Sequence, residues 1–195
     1  MTTPSHVSLR AGLVGAALTL GILAQTDAPA AAANWRIDPA RTHIVFAIDA
    51  VGYPRTHGQF RQFAGRISVD FEHPDKSSVA FHVQSQSVDV GSASFGDYLR
   101  SVAFLDSTRF PSIDFVSHSV AKVDDHTVRV TGDLTLLGVT RPLSVEVAVQ
   151  REGGAGRLAF LAKTSIDRLE FGMNSGFPLV SRDVELVISS AASEI

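Results

Sequence analysis

The chain has no cysteine, and among its 195 residues there are only one tryptophan, two tyrosines and two methionines. Without thiols there can be no disulfide, no thiolate nucleophile and no cysteine-held metal, so an ordinary apolar core has to supply the stability. Charge is sparse as well. Asp, Glu, Lys and Arg make up 19% of the residues and the formal net charge is −3. That mild acidity gives no general attraction to nucleic acid or anionic membrane, and Arg55, Arg61 and Arg66 are too scattered for a basic stripe. No apolar run is long enough to cross a bilayer: the longest, Ala11 to Ala24, falls short of the roughly 20 residues that a spanning helix needs.

That short run has the layout of an export signal. Arg10 and the amino terminus supply positive charge before it, and Ala30-Ala31-Ala32-Ala33 supplies small residues for cleavage after it, just before Asn34. There is no twin-arginine pair, and no cysteine on which to build a lipid anchor. The expectation is an export signal over 1–33 and one soluble domain over 34–195, located in the periplasm or secreted. Removing 1–33 deletes Arg10 and Asp27, so the net charge is unchanged.

Within the domain, period-two alternation predicts eight strands, near 34–49, 56–71, 77–90, 112–123, 126–137, 140–151, 156–167 and 180–192. Ile44, Phe46 and Ile48 share a face, as do Ile67, Val69 and Phe71, and Val79, Phe81 and Val83. Val128, Val130, Leu134 and Leu136 precede a tight turn at Gly138, and Leu143, Val145, Val147 and Val149 follow it. Pro142, lacking an N–H, is placed at the start of its strand. Leu158, Phe160, Ala162, Thr164 and Ile166 continue the pattern, then Val184, Leu186 and Ile188. Links such as His73-Pro74-Asp75 and Asp124-Asp125 are short and turn-forming, which favours antiparallel neighbours. The exception is 91–111, where Phe95, Tyr98, Leu99 and Val102 recur at near-helical spacing after Ser94 as N-cap. One or two helical turns over an end of the sheet are expected.

Eight antiparallel strands fit an all-β, lipocalin-like closed barrel, because closure removes exposed edges. Periodicity is equally compatible with an interior packed with side chains and one hollow enough for a small ligand. An outer-membrane barrel is disfavoured by the scarcity of Trp and Tyr and by outward Asp70, Gln84, Asp133, Glu146 and Glu185. Twelve phenylalanines stand out. Phe46, Phe60, Phe63, Phe81 and Phe104 either line a greasy tunnel or pack a core, and the same choice applies to Phe110, Phe115, Phe160, Phe171 and Phe177. No catalytic signature emerges. The histidines are scattered, although His82 and His118 could approach across strands, and no glycine-flanked serine has nucleophile-elbow spacing. Asp124-Asp125 reads as a turn. Arg100 and Arg168 either tie loops together or meet a ligand head.

The hairpin Gly132 to Leu143 resembles the YceI-like family of lipocalin-like, polyisoprenoid-binding bacterial proteins. So do Trp35-Arg36-Ile37-Asp38-Pro39, Leu99-Arg100-Ser101, the run Arg109 to Phe115, and Phe171-Gly172-Met173. The resemblance implies an elongated apolar cavity holding an isoprenoid or other long-chain amphiphile, without catalysis, cofactor or metal, and a homodimer. It turns the phenylalanine question towards a ligand wall: Phe46, Ile48, Phe60, Phe81, Val83, Phe104 and Phe115, then Leu134, Leu136, Phe160, Phe171 and Met173, with Arg100 and Arg168 towards the head. Family members tend to carry Arg, Asp and His where this chain has Phe95, Gly96 and Tyr98, and histidines where it has Arg41 and Ala50. Ser181-Arg182-Asp183 stands where a Gly-Asp-Glu run is usual. These departures imply a different ligand head. An enzyme acting on a small apolar substrate at the mouth and a closed-barrel stress protein are the alternatives.

Overall fold

A computed structural model describes residues 32–153 and 156–195. The export segment expected over 1–33 lies outside the described residues, except for Ala32 and Ala33. Eleven strands form one antiparallel sheet: β1 (Ala33–Ile37), β2 (His43–Ile48), β3 (Thr56–Phe60), β4 (Phe63–Val69), β5 (Ser78–Gln84), β6 (Val88–Asp89), β7 (Ser112–Lys122), β8 (Thr127–Leu136), β9 (Val139–Arg151), β10 (Arg157–Asp167) and β11 (Asp183–Glu194). One α-helix among the described residues, α1 (Ala93–Arg100), interrupts the series.

The sheet closes because β11 serves two partners along one edge. Glu185 to Ser189 pair with β2, and Ala192 to Glu194 pair with β1. β2 then passes to β3, and β1 to β4. The strands therefore occupy the eight positions of a closed antiparallel barrel, three of which are broken in mid-course. The segment expected at 34–49 is divided by a 3-10 turn at Pro39–Arg41, whose N-cap Asp38 accepts the Ala40 N–H at 3.0 Å. The segments expected at 56–71 and 77–90 divide near Arg61 and at Ser85–Ser87.

Each break resets the inward face. Trp35 and Ile37 are buried in β1, whereas Ile44 and Phe46 are buried in β2, so the alternation passes from odd to even numbers. β7 achieves the same within one strand: Phe115 borders the interior, the register slips between Ser117 and Ser119, and Val120 faces inward beyond the slip. A one-residue slip exchanges the two faces of a strand, so an uninterrupted strand would have turned half of these apolar side chains to solvent.

The β8–β9 hairpin turns on Leu137 and Gly138, with φ of 53° and 72°. Positive φ at both central residues is the primed turn that matches strand twist. β9 begins at Val139, so Pro142 lies inside the strand and not at its start. It is tolerated because β9 pairs with β10 only from Val147 onward, leaving the Pro142 segment bonded on one side. The helix is capped by Ser92, whose Oγ accepts the Phe95 N–H at 3.4 Å, and not by Ser94.

Candidate functional site

The barrel interior is hollow. One chamber of about 820 Å³ occupies the end where β1 begins and β11 finishes. Its walls include Ile67, Val79, Val128, Val145, Val147 and Phe160. A second chamber of about 610 Å³ lies under α1, bordered by Ile44, Phe46, Ile48, Phe60, Val83, Phe104, Leu136 and Met173. Phe81, Phe115, Leu134, Leu186 and Ile188 border both and form a waist between them. The strand pairings explain the waist: Phe81 stands opposite Phe115, and Phe115 opposite Leu134.

The two mouths differ in chemistry. The second is rimmed by Tyr53, Pro54, Phe95 and Tyr98, and Phe95 and Tyr98 stack at 6.5 Å between ring centroids. The first is rimmed by Asp70, Lys122, Asp124, Asp125, His126 and Arg151. The Lys122 ammonium lies 2.7 Å from Asp125, and the Arg151 guanidinium carbon 4.3 Å above the ring of Phe71. The His73 N–H, then that of Glu72, holds the Asp70 carboxyl below its usual range, and the His126 N–H does so for Asp124. The Lys122 ammonium has the same effect on Asp125.

Twelve of the fourteen sequence-derived ligand residues border a chamber, Phe160 in the first and Arg168 in the second among them. Phe171 and Arg100 do not. Phe171 is buried in the apolar cluster beneath the second chamber. Arg100 donates to the Val88 carbonyl at 2.9 Å and to Asp97 Oδ1 at 2.7 Å, tying α1 to β6. Arg168 borders the cavity without offering it a charge: its guanidinium is fully buried and donates to the carbonyls of Ser181 at 2.7 Å, Val180 at 2.9 Å and Met173. Burial pushes its pKa down. A long polar side chain that satisfies three carbonyls is a loop clasp, and residue type alone does not distinguish a clasp from a head-group contact. Among the other phenylalanines proposed for the tunnel, Phe63 and Phe110 border neither chamber and Phe177 is exposed. Alternation places Asp70 outward and Phe71 with Ile67 and Val69, but β4 ends at Val69 and the pattern ends with it: Asp70 is buried at the rim of the first chamber and Phe71 is exposed; Tyr53 lies in the loop between β2 and β3.

His82 and His118 each meet a carboxylate on a neighbouring strand, Asp114 at 2.6 Å and Asp133 at 2.9 Å. Ser112 Oγ donates to Asp114 Oδ2 at 2.6 Å, so the carboxylate stands between serine and histidine. That order places a carboxylate on the hydroxyl and not the imidazole, unlike a Ser–His–Asp triad.

Among solved structures, BcnA from Burkholderia cenocepacia superposes with a TM-score of 0.76 at 23% identity, covering 80% of this chain and 99% of that one. A polyisoprenoid-binding domain from Saccharophagus degradans, implicated in plant cell wall breakdown, superposes with a TM-score of 0.69 at 15% identity, over 83% of this chain and 98% of that one. At these identities the likeness is one of fold. The protein YceI of Salmonella arizonae is 34% identical over 177 residues, 88% of this chain and 92% of the relative, and that of Salmonella enteritidis matches equally. The family model of the YceI-like domain matches residues 35–192. A match over nearly the whole barrel, joined to these relatives, makes the chain a member of the YceI-like family.

Proposed function

We propose that this protein is a non-catalytic carrier that sequesters a polyisoprenoid, or a similar long-chain amphiphile, inside the barrel after export to the periplasm or beyond. One observation carries the reading. Phe81, Phe115, Phe160, Leu143, Val145 and Val147 belong to the inner wall yet are only partly buried, because they border open chambers. A barrel built for stability alone would have closed on them at the density of ordinary interiors. The wall offers a prenyl chain apolar area with few groups demanding a hydrogen bond, and each methylene buried there contributes about 0.8 kcal/mol before ordering costs. β11 has twelve residues, roughly 40 Å of strand, and at the usual tilt of about 35–45° the barrel wall stands roughly 30 Å tall, enough for a long chain threaded past the waist. The name of the Saccharophagus domain, which binds polyisoprenoid, supports the same ligand class.

The test is native mass spectrometry of the purified mature protein, followed by organic extraction and identification of whatever is released. A bound isoprenoid-like lipid is the expected result. An extract free of lipid, from a protein that also takes up no fluorescent polyprenyl analogue, would end the reading. Light scattering over a range of concentrations tests the accompanying expectation of a homodimer, which a constant monomer mass would remove.

A further inference from the structure

Asp70 sits where β4 runs out into the loop leading to β5, at the rim of the first chamber. Its side chain is only 3% exposed. Oδ1 is occupied: it accepts the N–H of Glu72 at 3.0 Å and that of His73 at 2.8 Å, which shapes the loop. Oδ2 is buried and has no hydrogen-bond partner among the described residues. A buried carboxylate oxygen left unpaired is costly, so such an atom on a residue that borders a ligand chamber is an acceptor waiting for a donor.

The surroundings narrow the kind of donor. Asp124 and Asp125 share the rim. Lys122 is already paired with Asp125, and Arg151 covers the ring of Phe71. The His73 imidazole approaches Oδ1, the oxygen already occupied, at 3.6 Å. The carboxylates of Asp70, Asp124 and Asp125 outnumber the cations Lys122 and Arg151 on this rim, so a phosphate or diphosphate brought to it meets net like charge. A hydroxyl has no such penalty and supplies the missing proton. The other mouth, rimmed by Tyr53, Phe95 and Tyr98, suits the hydrocarbon end.

Resting on the carrier reading above, we infer that the ligand is seated with its polar end at the first mouth, that this end is a neutral hydrogen-bond donor such as a hydroxyl, and that Asp70 Oδ2 accepts its hydrogen bond. The chain then runs past the Phe81–Phe115 waist, and its hydrocarbon terminus lies beneath α1.

Three probes that differ only at the head test this: geranylgeraniol, its acetate ester, which lacks the donor, and its diphosphate. The alcohol should bind about tenfold more tightly than the acetate, the size of one hydrogen bond to a charged group, and more tightly than the diphosphate. Asp70→Asn keeps an oxygen for the loop and replaces the free acceptor by an amide donor, which the acetate carbonyl can use as well as the hydroxyl oxygen, so the preference for the alcohol should disappear or reverse. Equal binding of alcohol and acetate, preference for the diphosphate, or a ratio unmoved by the substitution would overturn the assignment.

Orientation is read in the unaltered protein, which keeps the test independent of any variant's folding. The single tryptophan, Trp35, belongs to the apolar cluster against which Val149 and Phe160 of the first chamber's wall are packed. Of two long-chain alcohols carrying a nitroxide, the one labelled beside the hydroxyl should quench Trp35 more strongly than the one labelled at the far methyl end. The reverse order would overturn the seating. Failure of every probe to bind would instead reject the carrier function on which the inference rests.

Discussion

Phe81 on β5 and Phe115 on β7 stand directly opposite one another, with Leu134 next across on β8, and this row of three forms the constriction between the two chambers. Phe160, by contrast, borders the first chamber alone. Substitution at the two positions should therefore separate passage from capacity. Phe81→Trp should weaken binding of a long polyprenyl analogue much more than that of a short one, whereas Phe160→Trp should reduce uptake of both. The added atoms enter open space, so thermal melting of the apo protein should fall by less than the roughly 1–3 kcal/mol of an overpacked core. Destabilisation of that full size, with no analogue bound by the parent, would mean a solid interior.

Arg168 holds the carbonyls of Met173, Val180 and Ser181 from a fully buried position. Arg168→Met keeps the apolar stem and strands three acceptors. A loss of about 3 kcal/mol or more is expected in urea unfolding, since each buried unsatisfied group costs on the order of 1–3 kcal/mol. Lysine should recover little of it, because a single ammonium does not reproduce the planar fork. A variant as stable as the parent would show that the clasp is dispensable.

Acid should weaken the fold through carboxylates whose native state disfavours protonation. The Arg182 guanidinium holds Asp167 below the usual carboxylate range, and the Gly91 N–H, with Arg61, does so for Asp89. A folded pKa below the unfolded one means that the unfolded chain binds protons first. The stabilisation is then complete above the unfolded value, near pH 4, and is lost as pH falls through the folded value. Melting temperature measured from pH 6 downward should drop below about pH 4, and Asp167→Asn, less stable at pH 6, should converge with the parent as acid is added. Parallel curves would refute the linkage.

Gly138 meets two requirements at once. Its φ is 72°, and a Cβ there would lie 2.8 Å from the Phe110 ring. Gly138→Ala should cost about 1–2 kcal/mol from left-handed strain, with some addition from displacing the ring. Circular dichroism melts against the parent measure it, and an unchanged melting temperature would show that the turn relaxes freely.

Much of this protein was legible along the chain. Alternation over Leu143 to Val149 and over Val184 to Ile188 marks inner-wall residues, because side-chain direction in a strand is a local property of the pleated backbone. The eight strand positions and the hairpin at Gly138 follow from the same periodicity and its turn residues. The three breaks were not read, although the first left a trace in the change of apolar parity from Trp35 and Ile37 to Ile44 and Phe46.

Tertiary structure alone decided whether those apolar faces would meet. Residues such as Phe81 and Phe160 read the same in a packed barrel and in a hollow one, since the space between them depends on closure between β1 and β11 and on every strand in between. The same holds for polar side chains whose partners are remote in sequence. Arg168 became a clasp through carbonyls up to thirteen residues away, and Asp70 became a buried acceptor at the cavity rim only once its loop had folded over the end of the sheet. Periodicity assigns a direction to each side chain; volume, burial and the partner of each polar atom arise where distant segments pack.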